Sequence, residues 1–337
     1  MTERLVKYFG KDFTKEQRVN SYDLIENFIS DNVKDWSQSP DTDKISADFG
    51  VLISKFTKED FAFLLCHAGY IPEFYEHDSS QETLYSKLIE VLVCEWAKRA
   101  GFKDSYIQKQ KASKEDVTIQ IDNTVIVCDA KSYRLGRSQA APNVKDTIKK
   151  ADYEKWQKWW TVSEPHEKYG KLNSVGGLIT FPSLHRWKGS SDAYLYSTDS
   201  SRPIVIIFYE HLAYFLLKGC DYNIIVNLMS NYPKLFPEAS KNQHTYFETI
   251  LKFMFDKDWD HFFEYLKLFA EIVKEKVIHT VERITTHLEE SKKRIQLEIE
   301  AIAIDKLKDT LIESRLENEC GQILKQLENI KKFRPVS

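Results

Sequence analysis

Three side chains that could do chemistry lie at the two ends of one short hairpin-like segment. Asp116 precedes a run of alternating apolar and polar residues, and Asp129 and Lys131 close a second, apolar run. Between the runs, Asp122-Asn123 is a plausible tight turn, because both residue types tolerate positive φ. Side chains alternate faces along a strand, so Asp129 and Lys131 should point the same way. The segment therefore predicts two carboxylates and one ammonium at one edge of a sheet.

Such a trio suits metal-dependent hydrolysis of a phosphodiester. Carboxylates can hold Mg²⁺, which prefers oxygen ligands and keeps several waters. The ion stabilises charge on the scissile phosphate and lowers the pKa of a bound water. The lysine can orient that water and neutralise developing charge. A solvated ion pair at the end of a strand has the same pattern, so the neighbouring elements must decide between the two interpretations.

An amphipathic helix is predicted over residues 79–99, directly before the hairpin. Ser79 or Ser80 can cap it, Glu82 lies in its first turn, and Gly101 follows its last turn. A helix followed by a hairpin that carries D…DxK resembles the core order of the PD-(D/E)xK nucleases. The expected fold class is therefore α/β, a restriction-endonuclease-like core with a mixed central sheet flanked by helices and with helical N- and C-terminal extensions. The apolar positions that recur at helical spacing are Leu84, Leu88, Val91, Leu92 and Trp96.

Two further strands are predicted downstream of the hairpin. One is the apolar run within Asn173 to Thr180, and the other is Pro203 to Tyr209, which we expect to be a buried neighbour of the catalytic hairpin. Helical patterns dominate both ends of the chain. The predicted division is an N-terminal helical region at 1–70, a nuclease core at 71–245, and a C-terminal helical subdomain at 246–337. The amphipathic helices of that subdomain would suit a dimer interface.

Several blocks of the sequence resemble the HindIII-type group of type II restriction endonucleases. The most specific block runs through Asp129-Ala130-Lys131-Ser132 to Arg134-Leu135 and Arg137, and the blocks keep their order over roughly residues 70 to 217. The other matching blocks are Ile71-Pro72-Glu73, Ser80-Gln81-Glu82, Leu84, Ser86-Lys87, Asp116-Val117, Val127, Asn143, Lys145-Asp146 and Glu210-His211-Leu212-Ala213.

The resemblance implies a Mg²⁺-dependent endonuclease that cuts double-stranded DNA at a short palindromic site, such as a HindIII-like six-base site, and leaves 5′-phosphates. Asp116 and Asp129 match the metal-binding acids, and Lys131 matches the catalytic lysine. Glu82 matches an acid on the preceding helix, with Glu90 as the competing helix carboxylate. A homodimer would read two half-sites, and a cognate DNA methyltransferase would protect the sites of the host.

Residues after the catalytic lysine supply the expected DNA contacts. A serine and two arginines give this segment the hydroxyl and basic groups that phosphate contacts need. A later Asn-x-Lys-Asp segment aligns with the part of the family that approaches bases. Asn can pair with adenine, Lys can donate to guanine and Asp can accept from cytosine. The expected DNA-binding residues are Ser132, Arg134, Arg137, Asn143, Lys145 and Asp146.

Composition limits the function further. The 337 residues carry a formal net charge of −3, so a DNA site must be a local basic groove. Five cysteines without C-x2-C spacing suit a reducing cytoplasm and speak against a disulfide framework or a zinc site. Neither a signal peptide nor a membrane span is expected. The lack of a P-loop and of a G-x-S-x-G elbow excludes an ATP-driven enzyme and an esterase.

Two other interpretations stay open on the sequence. A structure-selective or repair nuclease of the same superfamily would share the catalytic residues but lack site specificity. A non-catalytic DNA-binding or helical scaffold protein would carry D…DxK only as a surface ion pair, and every activity would survive Asp129→Ala. The recognition sequence, the cleavage position and the number of metal ions are equally open.

Overall fold

Five strands form one mixed sheet in the computed structural model, which describes residues 1–108, 115–135, 171–182, 203–236, 245–300 and 308–332. The strands, in their order across the sheet, are β1 (Tyr106–Ile107), β2 (Val117–Ile121), β3 (Thr124–Ala130), β4 (Asn173–Phe181) and β5 (Ile204–Phe208). The helices before the sheet are α1 (Thr2–Phe9), α2 (Lys15–Asn32), α3 (Thr42–Ser54), α4 (Lys58–His67) and α5 (Ser80–Arg99). Those after it are α6 (Tyr209–Leu217), α7 (Asn223–Leu235), α8 (Tyr246–Phe255), α9 (Trp259–Glu300) and α10 (Lys308–Lys331). This is the predicted α/β arrangement with helical extensions at both ends.

The predicted hairpin is confirmed. Strands β2 and β3 pair antiparallel, with Val117 opposite Cys128 and Ile121 opposite Thr124. Only two residues connect them, and Asp122 adopts a φ of +48° in this turn. Aspartate reaches the left-handed region more readily than most residues, because its short polar side chain can hydrogen-bond locally. The turn therefore fixes the register that decides which residues meet at the other end of the hairpin.

The predicted position of the Pro203–Tyr209 strand is wrong. Strand β4 lies between it and the hairpin, because β3 pairs parallel with β4 and β4 pairs parallel with β5. All five residues of β5 are buried, as its apolar run requires. Hydrophobic periodicity predicts burial, but any buried position in the sheet satisfies it. The order of parallel strands instead depends on the crossover segments, which the pattern of a single strand does not contain.

Helix α5 packs its apolar face on the sheet and begins where it was predicted to begin. Ser79 is the N-cap, and its hydroxyl accepts a hydrogen bond from the backbone N–H of Glu82 at 3.3 Å. Near the other end, the indole of Trp96 donates to the Leu212 carbonyl of α6 at 3.0 Å. The first turns of α5 face the segment that follows β3, because the Ser86 and Ser132 hydroxyls share a 3.1 Å hydrogen bond. The helix thus links the β2–β3 hairpin to the rest of the core.

The three predicted regions share one hydrophobic cluster, which extends from Leu5 in α1 to Ile330 in α10. Ion pairs add to this packing: Arg18 of α2 contacts Glu275 of α9 at 2.7 Å. Helix α9 has 42 residues. Although it is long, no helix in the described ranges is apolar enough over a sufficient length to cross a membrane.

Candidate active site

The structure brings together the three residues that the sequence places at the sheet edge. The Lys131 ammonium lies 2.7 Å from a carboxylate oxygen of Asp129. The side chains of Asp116 and Asp129 share a hydrogen bond. A second oxygen contact fixes Asp116, whose Oδ2 accepts from the backbone N–H of Ala130 at 3.0 Å. Two carboxylates and one ammonium therefore form a single contact group.

The hairpin register explains this convergence. Val117 is opposite Cys128, so Asp116, one residue earlier, lies beside Asp129 on the neighbouring strand. The backbone N–H of Asp116 continues the ladder and donates to the Cys128 carbonyl at 3.0 Å. Alternation along β3 then places Asp129 and Lys131 on the same face. Short-range chain geometry is sufficient to assemble the trio.

Burial and the neighbouring charge of Asp116 both raise the pKa of Asp129. Asp129 is 5% exposed, and burial is the largest cause that raises its pKa well above the ordinary value. The nearby Lys131 lowers this pKa, whereas the charge of Asp116 and the hydrogen bond to it raise it. A bound cation would offset the negative charge that Asp116 places beside Asp129.

This donor set fits a hard divalent cation. Mg²⁺ is usually bound through one or two carboxylates and keeps several waters, and a cation would remove the repulsion between Asp116 and Asp129. Across the described ranges, no group of three or more His, Cys, Asp or Glu side chains is arranged to hold a metal ion.

The backbone of Lys131 is held on both sides by groups from other elements. Its N–H donates to the Thr180 carbonyl of β4 at 2.9 Å. Its carbonyl accepts from the phenol of Tyr209, the first residue of α6, at 2.8 Å. The Tyr209 hydroxyl in turn accepts from Thr180 Oγ1 at 3.4 Å. Burial raises the pKa of Tyr209 well above its ordinary value, so this phenol stays a donor.

Sequence reasoning missed Tyr209 and Thr180 as supports of the site. Thr180 lies near the end of an apolar strand, and Tyr209 directly precedes the family-like block that begins at Glu210. A polar side chain at the end of a buried strand is the signal that could have indicated them, because such groups need hydrogen-bond partners when they are buried.

Removing the Tyr209 hydroxyl should slow cleavage and weaken the fold modestly. In Tyr209→Phe the Lys131 carbonyl loses its buried donor, which should cost about 1–2 kcal/mol of unfolding free energy. We expect DNA cleavage to slow by up to about tenfold, which corresponds to about 1.4 kcal/mol. Single-turnover cleavage rates and urea unfolding measure the two effects.

A matched control lies on the same helix. The Tyr214 hydroxyl forms a 2.7 Å hydrogen bond with Nδ1 of His261, away from the three site residues. Tyr214→Phe should therefore affect stability without affecting the cleavage rate. Equal rate losses in both variants would contradict a role of Tyr209 in holding Lys131.

Gly69 brings another backbone segment against the site. Tyr133 N–H donates to the Gly69 carbonyl at 2.9 Å, and Ile71 N–H donates to the Tyr133 carbonyl at 3.0 Å. Gly69 has a φ of +84°, and a Cβ there would lie 2.7 Å from Cε2 of Tyr209 and 2.9 Å from Pro182 Cβ. Only glycine therefore fits at this contact.

The two candidate helix carboxylates have different surroundings. Glu82 Oε2 accepts from the Arg134 guanidinium at 3.1 Å and from the Asp78 N–H at 3.0 Å. Glu90 is buried and pairs with the Lys87 ammonium at 2.7 Å. Neither makes a third metal-holding acid with the Asp116–Asp129 pair in the part of the chain that the structure describes.

Two of the six predicted DNA-binding residues lie within the described ranges. Ser132 is half-buried and shares a hydrogen bond with Ser86. The side chain of Arg134 is only 4% exposed, so a DNA contact would require it to leave its present acceptors. The four that lie outside the described residues are Arg137, Asn143, Lys145 and Asp146.

Comparison with known sequences gives one finding. A protein-family model described as HindIII restriction endonuclease matches residues 27–317, from within α2 to within α10. The match includes the hairpin, α5 and all residues of the candidate site. A search of curated proteins gave no significant match.

Proposed function

The chain belongs to the HindIII restriction endonuclease family, and on this premise we propose that Asp116, Asp129 and Lys131 form its Mg²⁺-dependent site for DNA hydrolysis. Membership makes the protein a type II restriction endonuclease, which is a site-specific deoxyribonuclease that acts on double-stranded DNA. The observation that carries the proposal is the contact group itself, with Asp129 in contact with both Asp116 and Lys131.

Asp116 and Asp129 hold the metal ion. Their carboxylates are adjacent, and burial and the charge of Asp116 raise the pKa of Asp129, so this pair gains from a bound cation. When it is bound, Mg²⁺ supplies charge stabilisation at the scissile phosphate and lowers the pKa of a coordinated water. The 3.0 Å hydrogen bond from the Ala130 N–H to Oδ2 of Asp116 keeps this carboxylate oriented beside Asp129.

Lys131 orients the attacking water and neutralises charge that develops on the phosphate. Its ammonium is fixed beside Asp129 and keeps a quarter of its side-chain surface exposed, so it can reach a substrate. The water oxygen bonds to phosphorus, the bond between phosphorus and O3′ breaks, and O3′ takes up a proton. The products are a 5′-phosphate and a 3′-hydroxyl. A positioned donor in such a site contributes about 10²–10³-fold to the rate.

The enzyme acts as a homodimer on a palindromic site, which a HindIII-like six-base sequence would satisfy, and a cognate DNA methyltransferase protects the host. A dimer with two-fold symmetry presents the same surface to each half of a palindromic site. The C-terminal region 246–337 is the proposed interface, which is supported by exposed apolar residues along its helices, namely Ile278, Leu297 and Leu311. Sedimentation equilibrium measures whether the protein is a dimer.

The proposed cytoplasmic location agrees with five cysteines that form no disulfide.

Incubation of the purified protein with unmethylated phage DNA, with and without Mg²⁺, tests the proposed function. Discrete fragments that require Mg²⁺ are the expected result, and they allow the recognition site to be mapped. A continuous smear would instead indicate a nuclease without site specificity. Intact DNA on several substrates, with a folded protein, would indicate a non-catalytic DNA-binding protein.

A further inference from the structure

Arg134 lies three residues beyond Lys131 and is buried among acceptors from another part of the chain. Its guanidinium donates to the Pro72 carbonyl at 3.0 Å, to the Glu76 carbonyl at 3.2 Å and to Glu82 at 3.1 Å. Its side chain is 4% exposed. A planar guanidinium can satisfy several acceptors in fixed directions at once, which a lysine ammonium cannot do in the same geometry.

The Glu82 carboxylate likewise makes contacts within the protein. The oxygen that accepts from Arg134 also accepts from the Asp78 N–H at 3.0 Å, and Asp78 has a φ of +57°. The Glu82 backbone N–H is used by the Ser79 cap. A carboxylate in the first turn of a helix also interacts favourably with the helix dipole. Glu82 thus fixes the start of α5 and one end of Arg134 together.

Each residue from Ser132 to Arg134 contacts another part of the chain. The Ser132 hydroxyl bonds to Ser86 of α5, and the Tyr133 backbone pairs with Gly69 and Ile71. Arg134 then adds a charged contact to Glu82 of α5. The direction in which the chain leaves β3 therefore depends on α5, and with it the direction of the Lys131 side chain.

We propose that Arg134 and Glu82 form a positioning pair that orients Lys131, and that neither side chain touches the metal ion or the DNA. The pair fixes the backbone of residues 131–134 against α5, so the Lys131 ammonium is already oriented when DNA binds. This inference rests on the proposed function, because Lys131 must act in cleavage for its orientation to matter. It gives Glu82 and Arg134 roles different from a metal-site acid and a phosphate contact.

Three variants test the pair, and they share one control. Arg134→Lys keeps the positive charge but loses the planar set of guanidinium N–H donors. Glu82→Gln keeps a hydrogen-bond acceptor but loses the negative charge. The third variant combines both changes. Arg99→Lys is the control. Arg99 also donates to backbone carbonyls and to a glutamate, Glu95, but at the far end of α5. All variants are first compared by thermal unfolding, so that a folding defect is recognised.

Each single variant should lower the single-turnover rate at saturating DNA and saturating Mg²⁺ by about 10- to 100-fold, because a misplaced catalytic group costs this much. Arg99→Lys should keep the wild-type rate. DNA affinity in Ca²⁺, its dependence on salt and the Mg²⁺ concentration at half-maximal rate should all stay at wild-type values. The double variant should be no slower than the slower single variant, because both changes break one pair.

Other outcomes would overturn the inference. A weaker DNA affinity in Ca²⁺ for Arg134→Lys than for Arg99→Lys, at equal stability, would identify Arg134 as a DNA ligand, because a lysine cannot replace the directed contacts of a guanidinium. A higher Mg²⁺ requirement in Glu82→Gln would identify Glu82 as a group of the metal site. Wild-type rates in all variants would remove any role for the pair. If the wild-type protein itself cuts no DNA, the proposed function fails first.

Discussion

Replacing Asp129 by alanine should abolish Mg²⁺-dependent DNA cleavage, with a rate loss of about 10³-fold, because the ion and the lysine that would stabilise charge at the reacting phosphate both depend on this carboxylate. Asp129 is the centre of the contact group, since it touches both Asp116 and Lys131. Its loss removes one of two proposed metal-holding carboxylates and also the partner that fixes the lysine. Single-turnover cleavage at increasing Mg²⁺ measures the effect.

Replacing Asp129 by asparagine should abolish activity without lowering the stability of the fold. Such a result would show that the loss of activity is not caused by a folding defect. The folded state raises the pKa of Asp129, mainly through burial. Between the unfolded and folded pKa values the native state binds the extra proton, so stability falls as the pH rises through this window. Asp129→Asn removes that cost. In EDTA near neutral pH this variant should therefore be at least as stable as the wild-type protein, although it is inactive.

Urea unfolding in EDTA at pH 7 and again at low pH measures this prediction. The advantage of Asp129→Asn should disappear at a pH below the ordinary value of an aspartate, where both states carry the proton. A variant that is inactive and also strongly destabilised would mean that Asp129 is chiefly structural. Cleavage at the wild-type rate by Asp129→Ala would support the non-catalytic interpretation of the D…DxK pattern.

The sequence predicts the meeting of Asp116 and Asp129 well, because it depends on local geometry. A two-residue turn at Asp122 and the alternation of β2 and β3 suffice to bring Asp116 beside Asp129. No distant part of the chain is needed to bring these two acids together. The same reasoning predicted α5 and its Ser79 cap, which are also local features.

Features that depend on distant contacts were not predictable in this way. Strand β4 inserts between the hairpin and β5, with Gly176 so close to Met229 and the Pro203 carbonyl that a Cβ would not fit. The sequence predicts a DNA contact for Arg134, which follows Lys131 by three residues in a segment with basic and hydroxyl groups. Carbonyls from residues 72 and 76 bury it instead. Their position is set by the tertiary fold and leaves no periodic pattern in the sequence.

Gly69→Ala should be the most destabilising of the single changes considered, with a loss of about 3 kcal/mol of unfolding free energy from left-handed strain and overpacking combined. The φ of Gly69 is +84°, and the new Cβ would meet Tyr209 at 2.7 Å. Tyr209 cannot yield freely, because its hydroxyl holds the Lys131 carbonyl. The strain should therefore also reach the catalytic lysine and lower the cleavage rate.

Two other glycines separate the causes of this loss. Gly219 has a φ of +63° but nothing within 4 Å of a new Cβ, so Gly219→Ala should show the backbone strain alone, about 1–2 kcal/mol. At Gly176, where no left-handed φ occurs, a new Cβ would lie 2.6 Å from the Met229 sulfur, so Gly176→Ala shows overpacking away from Tyr209. Urea midpoints and cleavage rates of the three variants are compared. If Gly69→Ala loses no more stability than Gly219→Ala and cleaves at the wild-type rate, the contact between residue 69 and Tyr209 does not support the site. If Gly69→Ala is the only one of the three variants that loses both stability and cleavage rate, the support for Lys131 extends from α6 to the segment that follows α4.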